Sequence, residues 1–560
     1  MSAFAPYTQQ QQSNGERVPS ISTYRLPKNF LPFYAGLEPR QPPNARSALI
    51  TDRFAIPEGA DPTACDPGKT TWCGGTWKTI MDNLDYVQNA GFTAIWISPV
   101  NQNYQGPRTP YGDPYHGYWI QDNTQLNEKF GTAEDLKALS DEVHRRGMYL
   151  MVDVVVNNVM ATSRNPDYSK YMFKDSSLYH PYCPIQWGNS SSEQECWFGD
   201  DKVPLPDLDT RNPTVVKTYD DWIFKLVKEY NIDGLRIDAA KHVNKDFWPG
   251  FCKAAGVFCI GEVFGGDDIA PIAEWQGPDA LDSVLNFPQY AALKSAFTIP
   301  GPQNISAIAD VLERSPKMYH DTTVLGNFLE NQDLPRWHNL SVDPQSMYNA
   351  MTLGFMSDGI PIVYYGQEQG FAGNGDPWNR EPLWPSKYEK TPAYQLMASL
   401  NQLRNFLVNR TDWTTQPTTV LTQSSVGIAI MKGDIISVLT NVGSPPHNGS
   451  ISLQSPWQSG TAMLNVLTCR QWAVGANGWL DVEYTKGGVP VVLVPEMMLR
   501  DSNICGEQVS VQSGAMKGSQ AQKKSGARPT LRRIAVWPSN ADDMLRWIAV
   551  GIMALAAGAW

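Results

Sequence analysis

The sequence is short of positive charge: 45 Lys and Arg stand against 56 Asp and Glu, a net charge of −11. That balance argues against nucleic acid as a partner and is easier to reconcile with a neutral, hydroxyl-rich one. Paired CxxC spacings are missing too, which excludes the common zinc patterns. The eight cysteines, at 65, 73, 183, 196, 252, 259, 469 and 505, fall into local couples apart from the last two. Long apolar runs are scarce. Residues 1–45 contain Gln, Pro and Ser and no apolar stretch fit for a secretory leader. Trp547 to Trp560 are fourteen uncharged residues, too short for an ordinary membrane span.

Aromatic side chains are plentiful, at 11% with 19 Trp and 23 Tyr, and such flat faces stack well on sugar rings. A chain of 560 residues exceeds one ordinary core, so two or three domains are expected. Cysteine spacing suggests the disulfides Cys65–Cys73, Cys183–Cys196 and Cys469–Cys505, while Cys252 and Cys259 fit either a pair or two buried thiols. Five N-x-S/T sequons, at Asn189, Asn304, Asn339, Asn409 and Asn448, add to a secretory reading. The tail after Arg546 suits the cleaved end of a glycosylphosphatidylinositol signal, with Ser525-Gly526-Ala527 as a fitting small trio; the alternative is a docked C-terminal helix. A secreted-type body without a visible leader points to an incorrect or alternative first exon. A monomer is expected.

Alternation of helical and strand patterns sets the organisation. Ser47 to Thr51, Phe92 to Ser98 and the run MYLMVDVVVNN ending at Asn158 read as strands. Regular alternation stops between Val159 and Pro213, a stretch too long for a plain loop and therefore an inserted domain. It resumes with a helix whose apolar positions are Val216, Tyr219, Trp222, Ile223, Leu226, Val227 and Tyr230, followed by the strand Leu235 to Ile237. Gly256–Val263, Asp282–Phe287, Thr322–Asn331 and Ile360–Glu368 complete eight strands, which predicts a (β/α)8 barrel. Short alternating runs after Thr415 predict an antiparallel β-sandwich. The expected division is a disordered or misassigned arm at 1–45, the barrel at 46–158 and 213–414, and the insert at 159–212. The sandwich follows at 415–505, a flexible stalk at 506–546 and the apolar tail at 547–560.

Three strands bring acids to one face: Asp238 in GLRIDAAKH, Glu262 in IGEV and Asp333 in ENQDLPR. Arg236 sits two residues before Asp238 on the same strand face and favours its ionised form. Glu262 follows an apolar strand, a setting that would raise its pKa. An ionised carboxylate and a protonated one are what glycosidic-bond cleavage requires.

The ordered segments DVVVNN, LPDLD, GLRIDAAKH, IGEV and FLENQDLPR resemble the conserved regions of the α-amylase superfamily of glycoside hydrolases. Similarity to the fungal members runs from about Thr51 to Cys505. The resemblance implies Asp238 as nucleophile, Glu262 as general acid/base and Asp333 as transition-state stabiliser. It also implies that Arg236 holds the nucleophile and Tyr118 stacks on the sugar at the cleavage point, in a loop that includes His116. Lys241 would reach the acceptor side, and Asp376 with Arg380 would clamp the donor side. A calcium site would map to Asn157, Asp207, the carbonyl of His242 and the position of Gln194, where the family normally has a carboxylate.

This chain departs from the family pattern at Asn158 and Gln332, where histidines usually bind hydroxyls of the sugar being cleaved. Asn and Gln keep donors and acceptors but carry no charge, so weaker hydrolysis is expected. The pattern, with the apolar tail, resembles fungal membrane-anchored homologues that act as 4-α-glucanotransferases and are linked to cell-wall α-glucan. The first strand is also short, with only Ala48-Leu49-Ile50 apolar, a weakness for barrel closure. The first reading is thus a retaining, surface-anchored 4-α-glucanotransferase acting on α-1,4-glucan. A hydrolytic α-amylase of low activity is second. A non-catalytic α-glucan binder, gripping polymer through Tyr118, Trp378 and Trp384, is third.

Overall fold

Eight short strands run parallel and in sequence order around a barrel in a computed structural model that describes residues 45–506, except 446 and 485–486. They are β1 (Arg46–Leu49), β2 (Ala94–Ile97), β3 (Tyr149–Val154), β4 (Gly234–Ile237), β5 (Phe258–Gly261), β6 (Ser283–Val284), β7 (Gly326–Asn327) and β8 (Ile360–Tyr364). Their order is β6-β5-β4-β3-β2-β1-β8-β7, and a parallel bridge between Leu285 and Gly326 joins the two ends. The expected strands are all present, and all but β4 are shorter than their apolar runs. In the segment Thr322–Asn331, for instance, residues 322–324 form a 3-10 turn and only Gly326 and Asn327 pair.

Local sequence explains the helices that separate the strands. Helix α1 (Ala133–Arg145) starts at a reciprocal Thr132–Asp135 capping box and buries Leu136, Leu139 and Val143. Helix α2 (Pro213–Tyr230) starts at Asn212, has Pro at its first position and ends at Asn231 in the left-handed conformation. Its buried stripe begins at Val215, with Val216 only half-buried, one position earlier than periodicity predicts. Helix α3 (Trp248–Ala255) ends at Gly256, at φ +66°.

Between β3 and α2 the chain forms short turns, a helix at Ser190–Glu195 and a two-residue hairpin, Phe198–Gly199 with Pro204–Leu205. Disulfides join Cys65 to Cys73, Cys183 to Cys196 and Cys469 to Cys505, and Cys252 and Cys259 are free thiols. After the barrel, strands β9 (Thr418–Gln423), β10 (Gly427–Lys432), β11 (Ile435–Thr440), β12 (Gly449–Gln454), β13 (Ala462–Asn465), β14 (Gln471–Ala473), β15 (Trp479–Tyr484) and β16 (Val491–Pro495) follow. Six make one antiparallel sheet in the order β9-β10-β11-β16-β13-β14, and β12 pairs with β15. Ile436, Val438 and Leu493 from the first sheet share a core with Leu453, Leu480 and Val482 from the second. A buried ion pair, Lys432 Nζ to Asp358 Oδ1 at 2.6 Å, ties this sandwich to the barrel.

The N-terminal arm, the stalk and the apolar tail lie outside the described residues. Among those described, no helix is long and apolar enough to cross a membrane.

Candidate active site

Register places the first two members of the site. Asp153 on β3 and Arg236 on β4 are direct partners across the parallel ladder, both fully buried. Arg236 Nη1 donates to both oxygens of Asp153, at 3.0 and 2.9 Å. The ladder then runs one residue beyond each strand: Asp238 N donates to Val154 O and Glu262 N to Ile237 O, both at 2.9 Å. Asp238 and Glu262 are thereby fixed side by side at the C-terminal ends of adjacent strands, the usual site of chemistry in such barrels.

One guanidinium holds both. Arg236 Nη1 donates to Asp238 Oδ1 at 2.7 Å, and Nη2 lies 2.8 Å from Glu262 Oε2. Glu262 Oε2 also accepts from Ala239 N at 3.1 Å. The apolar setting expected for Glu262 is therefore absent: its strand is apolar, but the carboxylate lies past the strand end among donors.

Asp333 arrives on the loop after β7. Its amide donates to Asn331 Oδ1 at 2.9 Å, and its carboxylate faces Arg380 Nη2 at 3.4 Å. Arg380 also pairs with Asp376 at 3.0 Å and donates through Nε to the Gln332 carbonyl at 3.2 Å. Asn379 Nδ2 shapes the same loop, donating to the carbonyls of Gln332 and Leu334 at 2.9 and 2.8 Å.

Five carboxylates thus share two guanidiniums: Asp153, Asp238 and Glu262 on Arg236, and Asp333 and Asp376 on Arg380. Burial, then the negative charge of Glu262, raises Asp333 to about 6, and burial raises Asp153 to about 6 against the pull of Arg236. Burial also raises Asp238 well above the ordinary carboxylate range, opposed by Arg236 and reinforced by Glu262, Asp153 and Asp333. The sequence expectation that Arg236 alone would keep Asp238 readily ionised omitted burial and three neighbouring acids. Like charges this close do not all ionise together, so protonation is shared within the cluster.

Aromatic and amide groups line the approach. Tyr118 Oη donates to Asp153 Oδ2 at 2.7 Å and accepts from Gln332 Nε2 at 3.0 Å. His116 stacks on Tyr118 at 5.9 Å, and its Nδ1 accepts from Tyr118 N at 3.0 Å. Burial, helped by Arg380 and Arg53, lowers the His116 pKa well below its usual value, so the ring is neutral with its proton on Nε2. Lys241 Nζ, in the loop after Asp238, lies 3.5 Å from Glu193 Oε2. Asn158 is buried where β3 gives way to its loop, bridged through its backbone to Asp207.

The residues expected to hold a metal only partly converge. Asn157 Nδ2 donates to Asp207 Oδ1 at 2.6 Å and to the His242 carbonyl at 2.9 Å. Asp207 Oδ2 pairs with His180 Nδ1 at 2.6 Å. Burial pushes Asp207 up to about 7; burial also opposes protonation of His180, yet Asp207 keeps that ring's pKa above its usual value. Gln194 stands apart, its amide oxygen 3.4 Å from Arg211 Nη2. Among the described residues no three His, Cys, Asp or Glu side chains form a metal cluster.

Trp378 is 56% exposed, whereas Trp384 is buried and donates to the Pro62 carbonyl at 3.1 Å, so of the two only Trp378 presents an exposed ring. Asp153, Trp96 (whose Nε1 donates to Asp153 at 3.2 Å), Glu193 and Asn379 were missing from the sequence-derived site. Asp153 alone left a signal: an acid in the middle of an otherwise apolar strand has to find a buried partner.

The sequence matches the family described as alpha amylase, catalytic domain, over residues 48–405, and alpha-amylase, domain C, over residues 420–513. It is 42% identical over 476 residues to alpha-amylase mde5 of Schizosaccharomyces pombe, covering 83% of this chain and 89% of that one. The fold resembles an alpha-amylase from Malbranchea cinnamomea, with TM-score 0.79 and 38% identity, covering 82% of this chain and 98% of that one. It also resembles CldA, described as a cyclomaltodextrin glucanotransferase with three domains, with TM-score 0.69 and 25% identity over 80% of this chain and 98% of that one.

Proposed function

The chain belongs to the α-amylase family of glycosidases, and from that premise we propose that it cleaves α-1,4-glucan with retention and transfers the glycosyl group to another sugar. The observation that carries retention is the shared guanidinium: Asp238 and Glu262 each have an oxygen within 3 Å of one fork, at 2.7 and 2.8 Å. Two carboxyls anchored on one guanidinium suit the close spacing by which retaining enzymes leave no room for a water between acid and nucleophile.

In this reading Asp238 attacks the anomeric carbon while Glu262 gives its proton to the leaving oxygen, and the glycosyl group rests on Asp238. Glu262, now ionised, takes the proton of the incoming hydroxyl as the bond to Asp238 breaks. Asp333 stabilises the oxocarbenium-like charge, Tyr118 stacks on the sugar being cleaved, and His116 donates through Nε2 to a hydroxyl. Asp376 and Arg380 clamp the donor; Lys241, braced by Glu193, faces the acceptor.

Transfer is favoured by the neutral pair at Asn158 and Gln332. The Gln332 amide donates to Tyr118 and brings no positive charge to the transition state. The second reading, a hydrolytic α-amylase, draws on the names of the relatives. Incubation with maltoheptaose separates the two: transfer gives products longer than substrate without a rise in reducing ends, and hydrolysis gives only shorter products with a rise. Gln332→His should increase the ratio of reducing ends released to elongated products about 10-fold, the worth of one charge-assisted hydrogen bond. An unchanged ratio would mean that Gln332 does not set the balance.

Calcium is the metal the family implies, and one observation fits it: the Asn157 amide oxygen is buried without a donor beside Asp207 and the His242 carbonyl. Asn157, Asp207 and that carbonyl would hold the ion through oxygens, the donor type a hard cation prefers, with Gln194 outside the set. Bound there, it would stiffen the seam between the insert and the loop after Asp238. A chelator should lower the thermal midpoint of the wild type and leave that of Asp207→Asn unmoved; identical melts of the wild type with and without chelator would reject the site.

A further inference from the structure

Six of the eight cysteines are cross-linked, so the fold is compatible with a compartment that oxidises thiols. Cys252 and Cys259 remain, and the fold sets them facing each other. Cys252 lies on α3, where its carbonyl accepts the closing hydrogen bond from Gly256 N at 2.9 Å. The chain then turns back through Val257 into β5. Strand alternation decides which way Cys259 points. Phe258 meets the guanidinium of Arg46 on β1 at 4.9 Å, and Ile260 approaches Gly326 on β7, so both face the barrel interior. Cys259 therefore faces the helix layer, on the α3 side. Cys252 is near enough to act on the Cys259 thiol, and Cys259 Sγ lies 3.6 Å from the Val257 carbonyl. Cys259 is fully buried and Cys252 only partly so.

We propose that Cys252 and Cys259 are a reversible redox pair that closes to a fourth disulfide by exchange with a small-molecule disulfide of the glutathione type. The partly exposed Cys252 thiolate attacks one sulfur of that disulfide, expelling one thiol and forming a mixed disulfide. Cys259 then gives up its proton and attacks Cys252 Sγ, expelling the second thiol. The two cysteines are oxidised, the small disulfide is reduced to two thiols, and the two protons leave on them. Burial, and then the neighbouring Cys252, push the Cys259 thiol well above its ordinary value, so closure is slow and quickens as pH rises.

The bond would join two elements that carry the site without touching the acids. Trp248 on α3 donates through Nε1 to the Ala240 carbonyl at 3.1 Å, in the loop after Asp238, while β5 ends one residue before Glu262. Closure should therefore leave turnover within two-fold of the reduced form.

The test exposes the folded full-length protein to oxidised glutathione at mildly alkaline pH. The protein is then denatured in an alkylating reagent without reduction, and its tryptic peptides are weighed. Cleavage after Lys253 separates the two cysteines, so a linked peptide reports the bond directly. The expected result is that peptide, lighter by two hydrogens than its separate halves, which disappears on addition of dithiothreitol. In Cys252→Ser, Cys259 should remain a free, alkylatable thiol. Persistent alkylation at both positions in the wild type, or glutathione retained on Cys252 without closure, would overturn the pair. Glutathione added to Cys259 in Cys252→Ser would overturn the order of attack.

Discussion

Asp238→Asn is expected to lower kcat on malto-oligosaccharides by at least ~10⁴-fold while the protein stays folded, because the substitution removes the atom that must bond to the sugar. An amide fits the same space and can still accept from Arg236 Nη1, now at 2.7 Å from Asp238 Oδ1, so the anchored side chain keeps its place. It cannot attack an anomeric carbon, and no glycosyl-enzyme forms. In the proposed mechanism Arg380, Asp376, Tyr118 and His116 bind the substrate and remain in place, so KM should move far less than kcat. Removing one of four crowded carboxylates also relieves repulsion among Asp153, Glu262 and Asp333, and the thermal midpoint should hold or rise. Steady-state kinetics beside a melting curve checks both. A loss smaller than 10-fold would remove Asp238 from the nucleophile's role, and an unaltered polymer-dependent phenotype would favour a glucan-binding protein.

Sequence patterning made the barrel legible because each strand is an apolar run bounded by polar, chemistry-bearing ends. Asp238 and Glu262 could be placed on one face for that reason: each is the first polar residue after its strand. What patterning could not supply was how these ends share partners. Asp153 was hidden within an apolar run, yet it is the register partner of Arg236 and half of its hydrogen bonding. The environment of Glu262 was misjudged because its strand predicts the lining below the carboxylate, while Ala239 N and Arg236 come from a different segment of the chain. Trp384 looked like a platform for polymer by composition alone; only its packing against the Pro62 carbonyl shows that it is structural. Gln194 was placed by the family resemblance, which does not reveal that Arg211 competes for its side chain.

Arg46→Met is expected to stabilise the protein by about 1–4 kcal/mol, the range by which apolar packing can improve on buried charged groups. Arg46 opens the first barrel strand, in register between Ala94 and Ile362, and is 0% exposed. The short apolar run of this strand raised a question of closure, and the barrel closes around it, with a guanidinium in its interior. Among the described residues none of its three nitrogens finds an acceptor, and its guanidinium lies over the Phe258 ring at 4.9 Å. A cation–π contact returns about 1–2 kcal/mol, less than the cost of desolvating the charge. Methionine matches the unbranched length of the stem, fills the same space and needs no partner. A urea midpoint shifted upward at neutral pH with an unchanged slope would establish the gain, and a lower midpoint would show that Arg46 has a stabilising partner. The gain should also depend on pH in a defined direction. Burial pushes the Arg46 pKa down from 12.5 to about 9, so below about 9 the folded wild type carries the full cost of the charge. Above it the folded state sheds that proton before the unfolded state does, wild-type stability recovers relative to the variant, and the difference between the two narrows.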